Sequence, residues 1–213
     1  MFFAYLKRVL SDFERDRREG GNYFETFHRK LVHSLFMHKY ELYVLRPYFS
    51  RGKALNVGAG RDCGKLGDNV ISLDMRSGED EYVSMQGWGK IKPDVVANAE
   101  DGLPFDDETF DCTFSMHFLE HTKNTEFVIE EMIRVTRPEG FICGILPCTI
   151  QNKPYNYWRD YTHVKTWTRK DFLYWLAQRG FFDKLNLIQY CKMKRWINPW
   201  SFDFVFRKKR NFG

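Results

Sequence analysis

The sequence has no CxxC pair, and its five cysteines (Cys63, Cys112, Cys143, Cys148, Cys191) are odd in number. Neither a zinc ribbon nor a disulfide framework is therefore indicated, and a reducing compartment fits best. No apolar run is long enough to span a bilayer. The opening MFFAYLKRVL lacks the uninterrupted apolar region and small-residue cleavage site of a signal peptide. A soluble, cytoplasmic protein with no transmembrane segment is expected. Internal repeats and low-complexity tracts are also missing, which removes solenoid and linker architectures.

What is present is a globular composition. Of 213 residues, 43% are hydrophobic, 29% charged and 17% aromatic, with 20 Phe and 11 Tyr. That length fits one domain with a real core, here residues 1–213. The net charge is +5, with basic residues crowded at the two ends (Lys7, Arg8, Arg15, Arg17, Arg18; then Lys192, Lys194, Arg195, Arg207, Lys208, Lys209, Arg210). A solvated surface is the expected reading of both clusters. An acidic partner such as nucleic acid or anionic lipid is the rival.

Phe2, Leu6, Val9 and Phe13 stand at helical spacing and predict an amphipathic helix over 2–15. It would pack on the domain, with membrane-surface binding as the alternative. Gly20-Gly21 breaks it, and Asn22 with Glu25 forms a capping box for a second helix that Pro47 ends. These helices, within 1–48, form a helical cover for a core over 50–207. In the core, strands are expected at 53–57, 69–73, 94–97, 110–115 and 141–146. Between the last two, Asn124 caps a helix and Pro138-Glu139-Gly140 turns the chain back. Thr168 caps a further helix that Gly180 ends. Segments 181–191 and 201–207 read as an antiparallel pair joined by a turn containing Asn198-Pro199. Repeated β-α-β units imply an α/β, Rossmann-like, doubly wound and mostly parallel sheet of seven strands, closed by that antiparallel hairpin. Ligands in such sheets sit at the carboxyl ends of the strands.

The strand over 53–57 stops at Gly58-Ala59-Gly60, a tight turn expected to open a helix and let a ligand approach the backbone. A nucleotide P-loop needs Lys-Ser/Thr after its glycines, and Arg61-Asp62-Cys63-Gly64 offers none. A dinucleotide loop needs a third glycine where Cys63 stands. A ligand without a pyrophosphate is left.

Further segments follow in order: LNVGAG (55–60), ISLDMR (71–76), ANAEDGLPFDDETFDCTFSMHFLEH (97–121), RVTRPEGFICGILP (134–147) and DYTHVKTWTRKDFLYWLAQRGF (160–181). Together they resemble the class I S-adenosylmethionine-dependent methyltransferases of the small-molecule type, over about residues 50–207. The resemblance implies S-adenosylmethionine as cofactor and S-adenosylhomocysteine as product. It places Gly58, Ala59 and Gly60 against the methionine part and Asp74, followed by Met75, at the ribose hydroxyls. Asn98, Ala99 and Glu100 would line adenine, and Ser115, Met116 and His117 would lie near the transferred methyl. Two positions depart from the family pattern: Asn56, where an acid is frequent and where a weaker contact with the amino-acid moiety is expected, and Asp62, where a further glycine is frequent.

Methyl transfer from a sulfonium is an in-line displacement, and a base is needed only if the acceptor is a protonated hydroxyl. His117 and His163 are the candidates, with Asp160 orienting His163 or taking the proton itself; His121 is also eligible. Glu120 and His121 would otherwise pin the helix after the fourth strand. A metal held by His117, Asp160 and His163 is conceivable, because some sugar methyltransferases of this class use one, yet no ligand spacing signals it and none is expected. Tyr155, Tyr157, Trp158, Arg159 and Tyr161 combine flat faces with polar groups, which suits a sugar ring or another small hydroxylated acceptor. The expected function is O-methylation of a small molecule or glycan, with no nucleic-acid partner. The alternatives are RNA methylation, using the basic ends as a phosphate footprint, and a non-catalytic binding or scaffold protein that keeps the fold.

Overall fold

The computed structural model describes residues 38–78, 90–148, 160, 162–193 and 201–210. The chain divides into two compact units, Met1–Tyr43 and Val44–Gly213. Of the first unit only 38–43 is described, the opening of helix α1 (His38–Phe49). The predicted helix over 2–15 and most of the second lie outside the described residues. So does the turn at Asn198-Pro199.

In the second unit β1 (Ala54–Val57) is buried at all four positions, as a strand covered on both faces must be. It lies between β2 (Val70–Asp74) and β4 (Phe110–Met116) and runs parallel to both. A two-residue strand β3 (Val95–Val96) extends the sheet beyond β2. On the other side β5 (Thr136–Pro147) follows β4 in parallel. The C-terminal strands β6 (Leu185–Tyr190) and β7 (Ser201–Lys208) pair antiparallel, and β7 lies inside β6, against β5. The order is β3-β2-β1-β4-β5-β7-β6. The chain leaves β1 toward β2 and later returns to its other side at β4, so the β1/β4 boundary is the topological switch point where such sheets bind ligands.

Helix α2 (Thr125–Val135) joins β4 to β5, and Asn124 caps it by accepting from the Phe127 N–H. Its Val128, Met132 and Val135 are fully buried. Thr168 caps α3 (Arg169–Gln178) in the same way through Asp171 N–H, and Gly180, at φ 72°, stops it. Much of the Phe content goes into one cluster under α3, where Phe172 meets Phe202 and Phe204 at 5.7 and 5.1 Å between ring centroids.

Five local expectations are corrected. Pro47 does not end α1 at once: it costs the helix one N–H donor, and the helix stops two residues later, at Phe49. Ser50 N–H still reaches Arg46 O at 3.0 Å, and Phe49 is carried on to stack on Phe114. The glycine turn opens no α-helix: a single 3-10 turn, Gly60–Asp62, is followed by Gly64 and Gly67 at φ 66° and 121°, which a helix does not admit. Pro138-Glu139-Gly140 lies inside β5 and does not precede it. Thr136 pairs with Phe110 and Phe141 with Cys112, so the intervening residues bulge, with Glu139 at φ 64°. Phe181–Lys184 is a short helical turn, α4, and not strand, since Gly180 in the left-handed region starts a new turn and buries Phe181.

The fifth correction concerns the C-terminal basic cluster, which is not simply solvated. Lys208 is buried and donates to Thr136 O at 2.7 Å, and Lys209 donates to Phe182 O at 2.8 Å. Among the described residues no helix is long and apolar enough to cross a membrane.

Candidate active site

A pocket opens at the carboxyl ends of β1, β2 and β4. Gly58, Gly60, Asp74, Met75, Asn98, Ala99, Glu100 and His117 line it. Leu73, Arg76, Ala97, Phe118, His121, Thr122 and Thr162 complete the wall. Gly58 and Gly60 take φ 69° and 49°, in the region open to glycine at little cost. A Cβ on Gly58 would fall 2.2 Å from the Phe118 ring, so the close approach requires glycine there.

Asp74 is buried at the end of β2. Its Oδ2 accepts from Gly60 N–H at 2.8 Å and its Oδ1 from Arg76 N–H at 2.9 Å. A carboxylate offers about four acceptor sites, so after holding both loops each oxygen keeps a lone pair for a ligand hydroxyl. Cys63, just beyond the turn, has its thiol pushed up to about 11 by burial and by the Asp74 charge, and stays protonated at neutral pH.

The segment after β3 is tied in by its own polar groups. Asn98 Oδ1 accepts from Glu100 N–H and its amide donates to Asp101, so the side chain caps a 3-10 turn, Ala99–Asp101. Glu100 Oε1 accepts from Asn124 N–H at 2.7 Å. Of the other residues singled out in the sequence, Asn56, Ala59, Ser115 and Met116 are buried behind the wall and not on it. Asn56 Oδ1 has no hydrogen-bond partner among the described residues.

At the end of β4, His117 takes φ 52° while its N–H holds Ile145 O at 3.0 Å. A non-glycine residue in that region is strained, and here the strain sets the imidazole on the pocket wall. The chain then makes a 3-10 turn, Leu119–His121. Glu120 was expected to pin a following helix; its carbonyl pins a different segment, accepting from Val164 and Lys165 N–H at 3.0 and 3.2 Å. That contact brings 160–165 beside the pocket. His121 and His163 meet edge to face at 4.7 Å.

Asp160 accepts from the Thr162 hydroxyl and backbone N–H at 2.5 and 3.0 Å. Burial would raise its carboxyl, but the Thr162 hydrogen bonds and the nearby His163 and His121 outweigh it and hold the group below its ordinary range. His163 is set back from the pocket lining. Phe118 and Thr162 were missed in the sequence; the Phe beside EH and the Thr between Asp160 and His163 carry no signal until the fold joins the two segments. Tyr155, Tyr157, Trp158, Arg159 and Tyr161 lie outside the described residues.

Residues 55–144 match the family model described as a methyltransferase domain. No curated protein sequence matches the chain. Among solved structures, a SAM-dependent methyltransferase from Archaeoglobus fulgidus is similar at 20% identity and a TM-score of 0.59, covering 88% of this chain and 100% of that one. One from Aquifex aeolicus is similar at 16% and 0.52, covering 78% and 88%. A [4+2]-cyclase shares the fold at 14% and 0.56, covering 81% and 82%, so the fold by itself does not dictate the reaction. The pocket fits S-adenosylmethionine on two observations: Gly58 and Gly60, whose backbone forms part of its wall, and a buried carboxylate at the end of β2 with acceptor capacity to spare. Segment 55–144 thus matches a methyltransferase domain, and the chain has the fold of solved SAM-dependent methyltransferases.

Proposed function

We propose that the chain methylates a hydroxyl oxygen of a small acceptor, with a sugar or glycan preferred, in a reducing, cytoplasmic setting. The observation that carries the reading is His117, held just after β4 on the wall of the same pocket that Asp74, at the end of β2, lines. Gly58 and Gly60 would admit the methionine part of the cofactor, Asp74 would accept from the ribose hydroxyls, and Asn98, Ala99 and Glu100 would border adenine. Bound S-adenosylmethionine supplies an electrophilic methyl on sulfonium sulfur. His117 would take the proton of the acceptor hydroxyl that receives the methyl. Asp160 and His163 act by holding Thr162 and His121 in place. Tyr155, Tyr157, Trp158, Arg159 and Tyr161 precede Thr162 directly in the chain and are proposed as acceptor contacts.

Two of the C-terminal basic residues, Lys208 and Lys209, make internal hydrogen bonds, which withdraws them from the phosphate footprint that RNA methylation would use. The test is a screen of sugars, phenols and RNA with methyl-labelled cofactor. Label in a hydroxylated small molecule is expected, and label confined to RNA would refute the reading. His117→Ala is expected to lower kcat by about 10²–10⁴-fold with cofactor affinity retained; full activity would remove it as proton acceptor.

A further inference from the structure

Glu120 is fully buried, at 0% exposure, and neither of its carboxylate oxygens has a hydrogen-bond partner among the described residues. A buried carboxylate without hydrogen bonds is costly unless a cation compensates it. Around Oε1 stand His117 Nδ1 at 3.7 Å, His121 Nε2 at 3.9 Å and His163 Nε2 at 3.9 Å. These separations are too long for hydrogen bonds. Yet one ligand atom each from Glu120, His121 and His163 lies within 4.8 Å of the others, so they converge on one point.

The tautomer of His121 sharpens this. The Thr162 hydroxyl gives its single proton to Asp160 Oδ1 at 2.5 Å. Its oxygen is then the acceptor for His121 Nδ1, 2.8 Å away, and that nitrogen carries the hydrogen. In neutral imidazole the lone pair therefore lies on Nε2, the nitrogen facing Glu120. A lone pair beside a buried carboxylate oxygen is repulsive unless a positive charge sits between them. Metal-bound histidines characteristically donate their other ring N–H to a fixed acceptor, and here the Thr162 oxygen, held by Asp160, is that acceptor.

We propose that Glu120, His121 and His163 bind a divalent first-row transition-metal ion. Two imidazole nitrogens and one carboxylate suit such an ion, whereas calcium and magnesium prefer oxygen alone. Ligand atoms about 2.0–2.1 Å from a tetrahedral ion lie roughly 3.3 Å apart, so the three side chains draw in by roughly half an ångström on binding. Three protein ligands leave coordination positions open. His117, His121 and Thr162 line the pocket, which places those positions toward an entering acceptor oxygen. That last placement rests on the methyl-transfer reading above; binding of the ion does not.

The test titrates the metal-stripped full chain with Co²⁺ and follows its visible ligand-field bands. One ion per chain, displaced by Zn²⁺, is expected. Glu120→Gln and His163→Asn should each weaken binding at least tenfold, and Thr162→Val, which removes a positioning hydroxyl, by about 10–100-fold. No bands, or bands unchanged in Glu120→Gln and His163→Asn, would overturn the proposal. If those variants do not fold, wild-type imidazole ¹⁵N resonances decide: Zn²⁺ must move Nε2 of both His121 and His163, and unmoved resonances overturn it. S-adenosylhomocysteine binding is measured on the same sample. Its absence would count against the cofactor-site assignment while leaving the metal result to stand or fall on its own.

Discussion

Asp74 performs two tasks with one carboxylate: it ties Gly60 and Arg76 together through their backbone N–H groups, and it presents the remaining lone pairs to the pocket. A hydrogen bond to a charged group is worth about 1.5–3 kcal/mol. Asp74→Ala is therefore expected to weaken S-adenosylhomocysteine binding by about 10–100-fold in calorimetry. Unchanged affinity would mean that the ribose lies elsewhere. Gly58 was legible as a turn residue from its sequence, because a strand stopping at GAG needs a left-handed corner. Its collision partner was not, since Phe118 reaches it only through the pairing of β1 with β4. Gly58→Ala adds both a left-handed φ for a side chain and a clash 2.2 Å from that ring, together about 2–4 kcal/mol of lost stability by urea unfolding. Adding Phe118→Ala should recover the clash portion; a purely additive double-mutant cycle would show that the ring is not what the methyl meets.

At the scale of elements, helix ends were read better than strand ends. Asn124, Thr168 and Gly180 act locally, through bonds within three residues, so sequence spacing is enough to find them. The start of β5 depends on a long-range tie that spacing cannot reveal: Lys208, from the far end of β7, donates to Thr136 O just before the bulge. That carbonyl is where the helix-to-strand transition occurs, with Thr136 Oγ1 simultaneously bonding back to Met132 O at 2.6 Å. Lys208→Met keeps most of the packing volume but removes the donor, and is expected to cost about 1–3 kcal/mol. Its contact with Glu108 is 3.6 Å to a carboxylate that is 53% exposed, and exposed pairs contribute little. The loss should therefore be the same at low and high salt. A penalty that disappears in salt would assign the role to Glu108 instead.

For the whole molecule, the parallel β-α-β order and a pocket at the carboxyl ends of its strands were open to sequence reading because apolar strands, glycine turn and acidic strand end follow one another in fixed succession. The Glu120 cluster was not, because 117–121 and 160–165 are joined only when the Glu120 carbonyl takes two N–H groups from the later segment. The same long-range logic governs stability in acid. Arg134 clamps the AEDGLPF segment to α2, donating to Glu131, Asp107 and the carbonyls of Leu103 and Phe105. The Arg134 hydrogen bond, opposed by partial burial, holds the Glu131 carboxyl below its ordinary value, and the Ser72 hydroxyl and N–H do the same for Asp94. Because both groups have depressed folded-state values, the stability they confer is complete above their unfolded values of about 4 and is lost as pH falls through the folded ones. The urea midpoint is thus expected to drop more steeply below about pH 4 for the wild type than for Glu131→Gln or Asp94→Asn, with the curves running parallel between neutral pH and about pH 5. Parallel curves at every pH would show that neither carboxylate is linked to folding, and would return the positioning of both loops to apolar packing alone.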